Sequence, residues 1–227
     1  MKDKLISSIM AGAYVALGAL TYLLIPNAIV GTMFFSAGIL LVFSFDRSLF
    51  TKVVPMSIIT KEFTISDIII TWVGNLIGAV AIAVLSFYCR FQDKLLSTLQ
   101  PIAEKKLHDT PLSLFIMGIF CAVLVSYAVF LGKRFKVGSF PHVFYVWLLI
   151  TAFVFGGYDH IVSHFYYLAT YILAFGFDPI AVLKVIFFVT AGNIVGGIAI
   201  ATIEKKRVLD FLHSDSTNGG SEPKTLL

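Results

Sequence analysis

The chain has 227 residues, of which 58% are hydrophobic and only 13% charged, and its mean hydropathy is +0.92. A water-soluble domain of this size carries about a quarter charged residues, so a soluble enzyme is excluded and an integral membrane protein in a lipid bilayer is implied. The net charge of +4 comes from basic loops between apolar stretches and calls for no nucleic-acid partner.

A bilayer core of about 30 Å takes roughly 20 apolar residues per helix, and six stretches qualify, at residues 9–25, 28–45, 68–88, 112–131, 143–155 with a continuation, and 185–203. A leader would be one short apolar stretch ending at a small-residue cleavage site, whereas the first here is followed by several more, so it reads as a transmembrane helix. The second runs from Phe45 into Asp46, Arg47, Ser48, Leu49, Phe50, Thr51 and Lys52 before apolar character resumes at Val53. The third carries Gly74, Asn75 and Gly78. Basic residues Lys105 and Lys106 precede the fourth. The fifth breaks after Phe155 at Gly156, Gly157, Tyr158, Asp159 and His160, with His164 one turn further on. The sixth carries Gly192, Asn193 and Gly196. Residues 1–212 form the expected membrane domain. Residues 213–227 are too polar to bury anything and are expected to be disordered.

Cytoplasmic loops hold the excess of Lys and Arg. Lys2, Lys4, Lys61, Lys133, Arg134, Lys136, Lys205, Lys206 and Arg207 fall on one side of a six-helix topology, which predicts both termini in the cytoplasm and a multi-pass protein of the cytoplasmic membrane. Cys89 and Cys121 lie in apolar stretches without CxxC or Cys/His spacing, so neither a disulfide scaffold nor a metal or other cofactor is implied. A pair of histidines at positions 160 and 164 lacks a third metal ligand.

The ten residues from Gly74 recur 118 positions later from Gly192, with six identities. Three helices separate the copies, so the halves are predicted to be inverted in the membrane. The expected fold is an all-α membrane protein with six transmembrane helices in two inverted three-helix repeats, the second and fifth helices broken. Non-helical backbone at membrane depth survives where it is buried in protein or lines a wet cavity, and ionisable groups there mark function. A pore between two matched breaks follows. The glycines also suit close helix packing. The aromatic residues read as lipid-facing and packing material, with Trp72, Trp147, Tyr166 and Tyr167 as candidate interfacial anchors.

Leu49, Phe50 and Thr51 in the first break, Gly157, Tyr158, Asp159 and His160 in the second, and the two Gly-Asn-x-x-Gly motifs together resemble the formate/nitrite transporters. That resemblance implies an aquaporin-like protomer, a homopentamer, and a channel for small monovalent anions of weak acids such as formate, nitrite or hydrosulfide. It further implies that His160 is the central pore histidine, that Thr51 hydrogen-bonds it, that Lys106 is a vestibule lysine at the start of the fourth helix, and that Phe35, Ile39 and Phe153 form apolar constrictions. A hydrophobic narrowing passes a neutral acid far more easily than a bare anion. The chain departs from the family at Ala122 and His164, where the family has asparagines, and at Asp46, Arg47 and Lys52 in the first break. An aquaporin-type solute channel would need Asn-Pro-Ala loops, which the sequence lacks. A proton-coupled carrier and a membrane-embedded enzyme using His160 and Asp159 are the other readings.

Overall fold

The structure is a computed structural model describing residues 2–217, and the described residues form nine helices and no strand. In chain order they are α1 (Lys2–Leu24), α2 (Ala28–Ser44), α3 (Phe50–Ile59), α4 (Ile65–Phe87), α5 (Gln92–Leu107), α6 (Pro111–Arg134), α7 (Phe140–Phe155), α8 (Ile161–Phe175) and α9 (Pro179–Thr217). Four of them, α1, α4, α6 and α9, are long and apolar enough to cross a membrane. Helices α2, α3, α7 and α8 are shorter and apolar.

Three expectations change. Residues 92–107 form a helix, because Leu95, Leu99, Ala103 and Leu107 recur every fourth position and are buried while the polar residues between them face outward. Lys106 therefore sits in the last turn of α5, where a cation suits the helix dipole, and not at the start of the following helix. Helix α9 continues past Leu212 to Thr217, into the segment expected to be disordered, while residues 218–227 lie outside the described residues. Tyr166 is no interfacial anchor: it is fully buried, its hydroxyl 3.1 Å from Ser86 Oγ.

Missing side chains set the helix spacing. A Cβ on Gly74 or Gly78 of α4 would strike Ser8 or Ile9 of α1, and one on Gly192 or Gly196 of α9 would strike Phe115 or Ile119 of α6. The two copies of the repeated motif thus make equivalent close packings, α1 on α4 and α6 on α9, with backbones near enough for dispersion contacts along the whole crossing. The short helices exchange sides. Helix α3 packs on α9, α8 packs on α4, and α2 meets α7 between them.

Both interruptions begin the same way. Asp46 N–H donates to Phe43 O at 3.2 Å and Arg47 N–H to Val42 O at 2.8 Å; Gly157 N–H donates to Val154 O at 3.0 Å and Tyr158 N–H to Phe153 O at 3.2 Å. This pair of bonds is the Schellman stop, which needs a left-handed residue at its turn. Asp46 (φ 47°) and Gly157 (φ 68°) take that position.

Candidate functional site

Each new helix after a break starts from an asparagine of the long helix in the same half of the chain. Asn75 Oδ1 accepts from Phe50 N at 2.8 Å while its Nδ2 donates to Ser8 O at 2.7 Å and Ser48 O at 3.0 Å. Asn193 Oδ1 accepts from Ile161 N at 3.0 Å while its Nδ2 donates to Gly118 O at 2.8 Å and Asp159 O at 2.9 Å. In each case one buried amide accepts from the first amide after the break and donates to a carbonyl within it, groups the break leaves without helical partners, and also ties the break to a carbonyl of α1 or α6. The strands of backbone carrying Thr51 and His160 are fixed by these clips.

The two breaks meet at the side chains that follow them. Thr51 Oγ1 and His160 Nε2 are 2.9 Å apart, both residues buried. His160 is the N-cap of α8: its Nδ1 accepts from the Ser163 amide at 3.4 Å and lies 3.3 Å from Ser163 Oγ. An accepting Nδ1 puts the ring hydrogen of the neutral imidazole on Nε2, which donates to Thr51 Oγ1 and leaves the threonine hydroxyl hydrogen free for a further acceptor. Phe153 covers the His160 ring with centroids 5.7 Å apart, and Phe35 meets Phe153 edge-on at 5.6 Å.

A cavity of about 70 Å³ opens beside His160, lined among others by Phe35, Phe153, Lys106, Asp159 and His164. Lys106 Nζ lies 2.6 Å from Asp159 Oδ1 and donates to Gly157 O at 3.1 Å, so a long side chain from α5 ties down the second break. His164 Nε2 lies 3.4 Å from the same carboxylate oxygen. Ile39, Leu49 and Phe50 are fully or almost fully buried but do not line this cavity. No group of three or more His, Cys, Asp or Glu suited to a metal ion occurs among the described residues.

A second cavity, of about 320 Å³, is lined by Asp46, Lys52, Lys133 and His142. Lys52 is 7% exposed; it pairs with the largely exposed Asp46 carboxylate and donates to Arg47 O at 3.1 Å. The departure from the family at Lys52 is thus matched by the acidic residue in the same break.

Residues 1–204 match the family model described as formate/nitrite transporter. The chain belongs to the formate/nitrite transporter family. It is 26% identical over 234 residues to the formate channel FocA of Haemophilus influenzae, covering 84% of this chain and 81% of that protein. It is likewise 26% identical over 218 residues to the formate channel BtFdhC of Bacillus thuringiensis, covering 85% and 82%. Among solved structures it is similar to a pentameric formate channel with formate bound, with a TM-score of 0.78 and 21% identity over 92% of this chain and 97% of the other, a likeness of fold. As a member of the formate/nitrite transporter family it is a multi-pass membrane transport protein and not an enzyme.

Sequence reasoning chose His160, Thr51, Lys106, Asp159, His164, Phe35 and Phe153, and in the fold these lie together. It read Asn75 and Asn193 only as packing positions and missed their role as clips. Their signal was present: an uncharged side chain with both donor and acceptor, at the same place in both repeats, in an otherwise apolar helix. It also missed Ser163, Tyr22 and Tyr167 beside the cavity and the grouping of His142 with Lys52.

Proposed function

We propose that this chain is a channel for small monovalent anions of weak acids, formate, nitrite or hydrosulfide among them, with a path through each protomer past His160. The observation that carries the reading is a buried imidazole hydrogen-bonded to a threonine of the opposite half, flanked by Phe35 and Phe153 and opening on a cavity with a basic wall. Lys106 raises the local anion concentration at the entrance. Thr51 and His160 offer the anion hydrogen-bond donors, and the phenylalanine pair admits a neutral or hydrogen-bonded species in preference to a bare charge.

The pairs α2 with α3 and α7 with α8 act as broken crossings, which with the four long helices makes six crossings in two inverted halves. The equivalent Schellman stops and asparagine clips support that symmetry. We place both termini in the cytoplasm on the distribution of Lys and Arg, and a homopentamer on the likeness to the pentameric formate channel.

The test is internal-pH dye fluorescence in proteoliposomes challenged with formate, nitrite, hydrosulfide and lactate. Alkalinisation faster than in empty vesicles, lost in His160→Asn, is expected. Water or glycerol flux with no weak-acid response would return the chain to the neutral-solute reading.

A further inference from the structure

Asp159 is a carboxylate with no exposed side-chain surface, and two basic groups share its Oδ1: Lys106 Nζ at 2.6 Å and His164 Nε2 at 3.4 Å. The other ring nitrogen of His164, Nδ1, lies 3.0 Å from the carbonyl oxygen of His160. A carbonyl only accepts, so Nδ1 carries a hydrogen. In a neutral ring Nε2 would then turn a bare lone pair toward the carboxylate, acceptor against acceptor. With both nitrogens protonated the same contact is an ion pair.

We propose that His164 is stored as an imidazolium by Asp159 and that it is the proton donor to a small anion entering the cavity beside His160. The inference rests on the channel reading given above and assigns the proton to a particular atom within it. The cluster of Lys106, His164 and Asp159 carries one net positive charge when His164 is protonated and none after it has given its proton up. An anion is therefore drawn in by a charge that disappears as the anion is neutralised. The lone pair of the anion takes the Nε2 hydrogen, the N–H electrons stay on the ring, and the products are neutral acid and neutral imidazole. The acid, no longer held electrostatically, meets His160 and the Phe35–Phe153 pair. Water on the Lys106 side returns a proton to Nε2. At 3.4 Å, with His164 Nε2 making no hydrogen bond among the described residues, the proton is held by charge and not locked in a short bond.

The remaining titratable groups facing the cavity are His160 itself and the phenols of Tyr22, Tyr158 and Tyr167, with the buried Cys121 thiol within electrostatic range of Asp159. His160 is already committed, its Nδ1 to the Ser163 amide and its Nε2–H to Thr51. Lys106 is bonded to Gly157 O and paired with Asp159, which leaves it as a fixed charge.

The test is the pH profile of formate uptake into proteoliposomes, read by an internal-pH dye, for wild type, His164→Asn and His164→Gln. The variants are expected to follow the bulk concentration of neutral acid, which falls about tenfold per pH unit above its pKa, whereas the wild type falls less steeply. Parallel profiles for wild type and variants overturn the proposal. Histidine-selective nitrogen NMR on the intact wild type gives a readout that needs no variant to fold. Two protonated ring nitrogens on His164 at neutral pH, reduced to one in Asp159→Asn, are expected; a singly protonated His164 in the wild type overturns the donor. If wild type carries no formate above empty vesicles, the channel reading falls and the proton transfer with it, and the NMR result still decides the charge state.

Discussion

At the scale of single residues, the centre of the molecule is a contact between two side chains that lie 109 positions apart in the chain. Thr51→Val keeps the shape and removes the hydroxyl, leaving the His160 Nε2–H buried without its acceptor. A buried donor stripped of its partner costs about 1–3 kcal/mol, and where that cost falls on the path, flux drops by roughly tenfold for each 1.4 kcal/mol. Stopped-flow formate uptake by Thr51→Val should therefore fall at least several-fold while the solubilised protein still elutes as the wild type does. Wild-type flux in this variant would remove the hydroxyl from the path. The residue types involved were readable from the sequence, because ionisable and polar groups inside an apolar stretch carry a desolvation cost and so stand out. Their partners were not. That Lys52 pairs with Asp46, and that His164 and Lys106 converge on Asp159, depends on how the breaks fold back.

At the scale of elements, each break is a stop and a restart with separate causes. The stop is local. Residue Asp46 sits at φ 47° in a place where its counterpart in the other half is glycine, and left-handed backbone costs an L-residue about 1 kcal/mol or more. Asp46→Gly alone removes the partner of a buried ammonium and should destabilise. In a Lys52→Leu background, where that pairing no longer matters, Asp46→Gly should raise stability by about 1 kcal/mol, read as the thermal midpoint in detergent; a lower midpoint in that background would contradict the account. The restart is tertiary. Asn75→Leu or Asn193→Leu leaves one backbone amide and one carbonyl of a buried break unpaired and cuts its tie to α1 or α6, and the expected loss is about 2–4 kcal/mol for either, seen as a lower midpoint and faster proteolysis at the break. Break positions were legible in sequence because polar runs interrupt apolar ones. Helix α5 was not, because its apolar residues are too few to stand out as a crossing, although their four-residue spacing is helical. Lys106 was misplaced for the same reason.

At the scale of the whole molecule, the two copies of the glycine-asparagine motif set the spacing of α1 on α4 and of α6 on α9. Gly78→Val puts a branched side chain where the Ile9 carbonyl already lies, so α1 and α4 must separate. Overpacking of this kind typically costs about 1–3 kcal/mol and, with backbone as the obstacle, more; the expected result is loss of the native oligomer on size exclusion, with Gly78→Ala milder. The proposed topology has a built-in reporter. Cys89 is exposed and Cys121 buried, and Cys89 follows α4 on the side away from the basic loops. A membrane-impermeant maleimide added to intact cells should label Cys89, with labelling abolished by Cys89→Ser; labelling only after lysis would reverse the proposed orientation. Native mass spectrometry of the detergent complex should show five copies. The sequence by itself determined that the chain lives in a membrane, that a glycine-asparagine motif recurs in it, and where polar runs interrupt its apolar stretches, since composition, periodicity and repetition are properties of one dimension. Only the tertiary structure decided which groups meet, because hydrogen bonds and ion pairs act over a few ångströms and depend on which helices cross: α3 packs on α9 and α8 on α4, which brings Thr51 to His160, while each break folds back onto the asparagine of its own half's long helix.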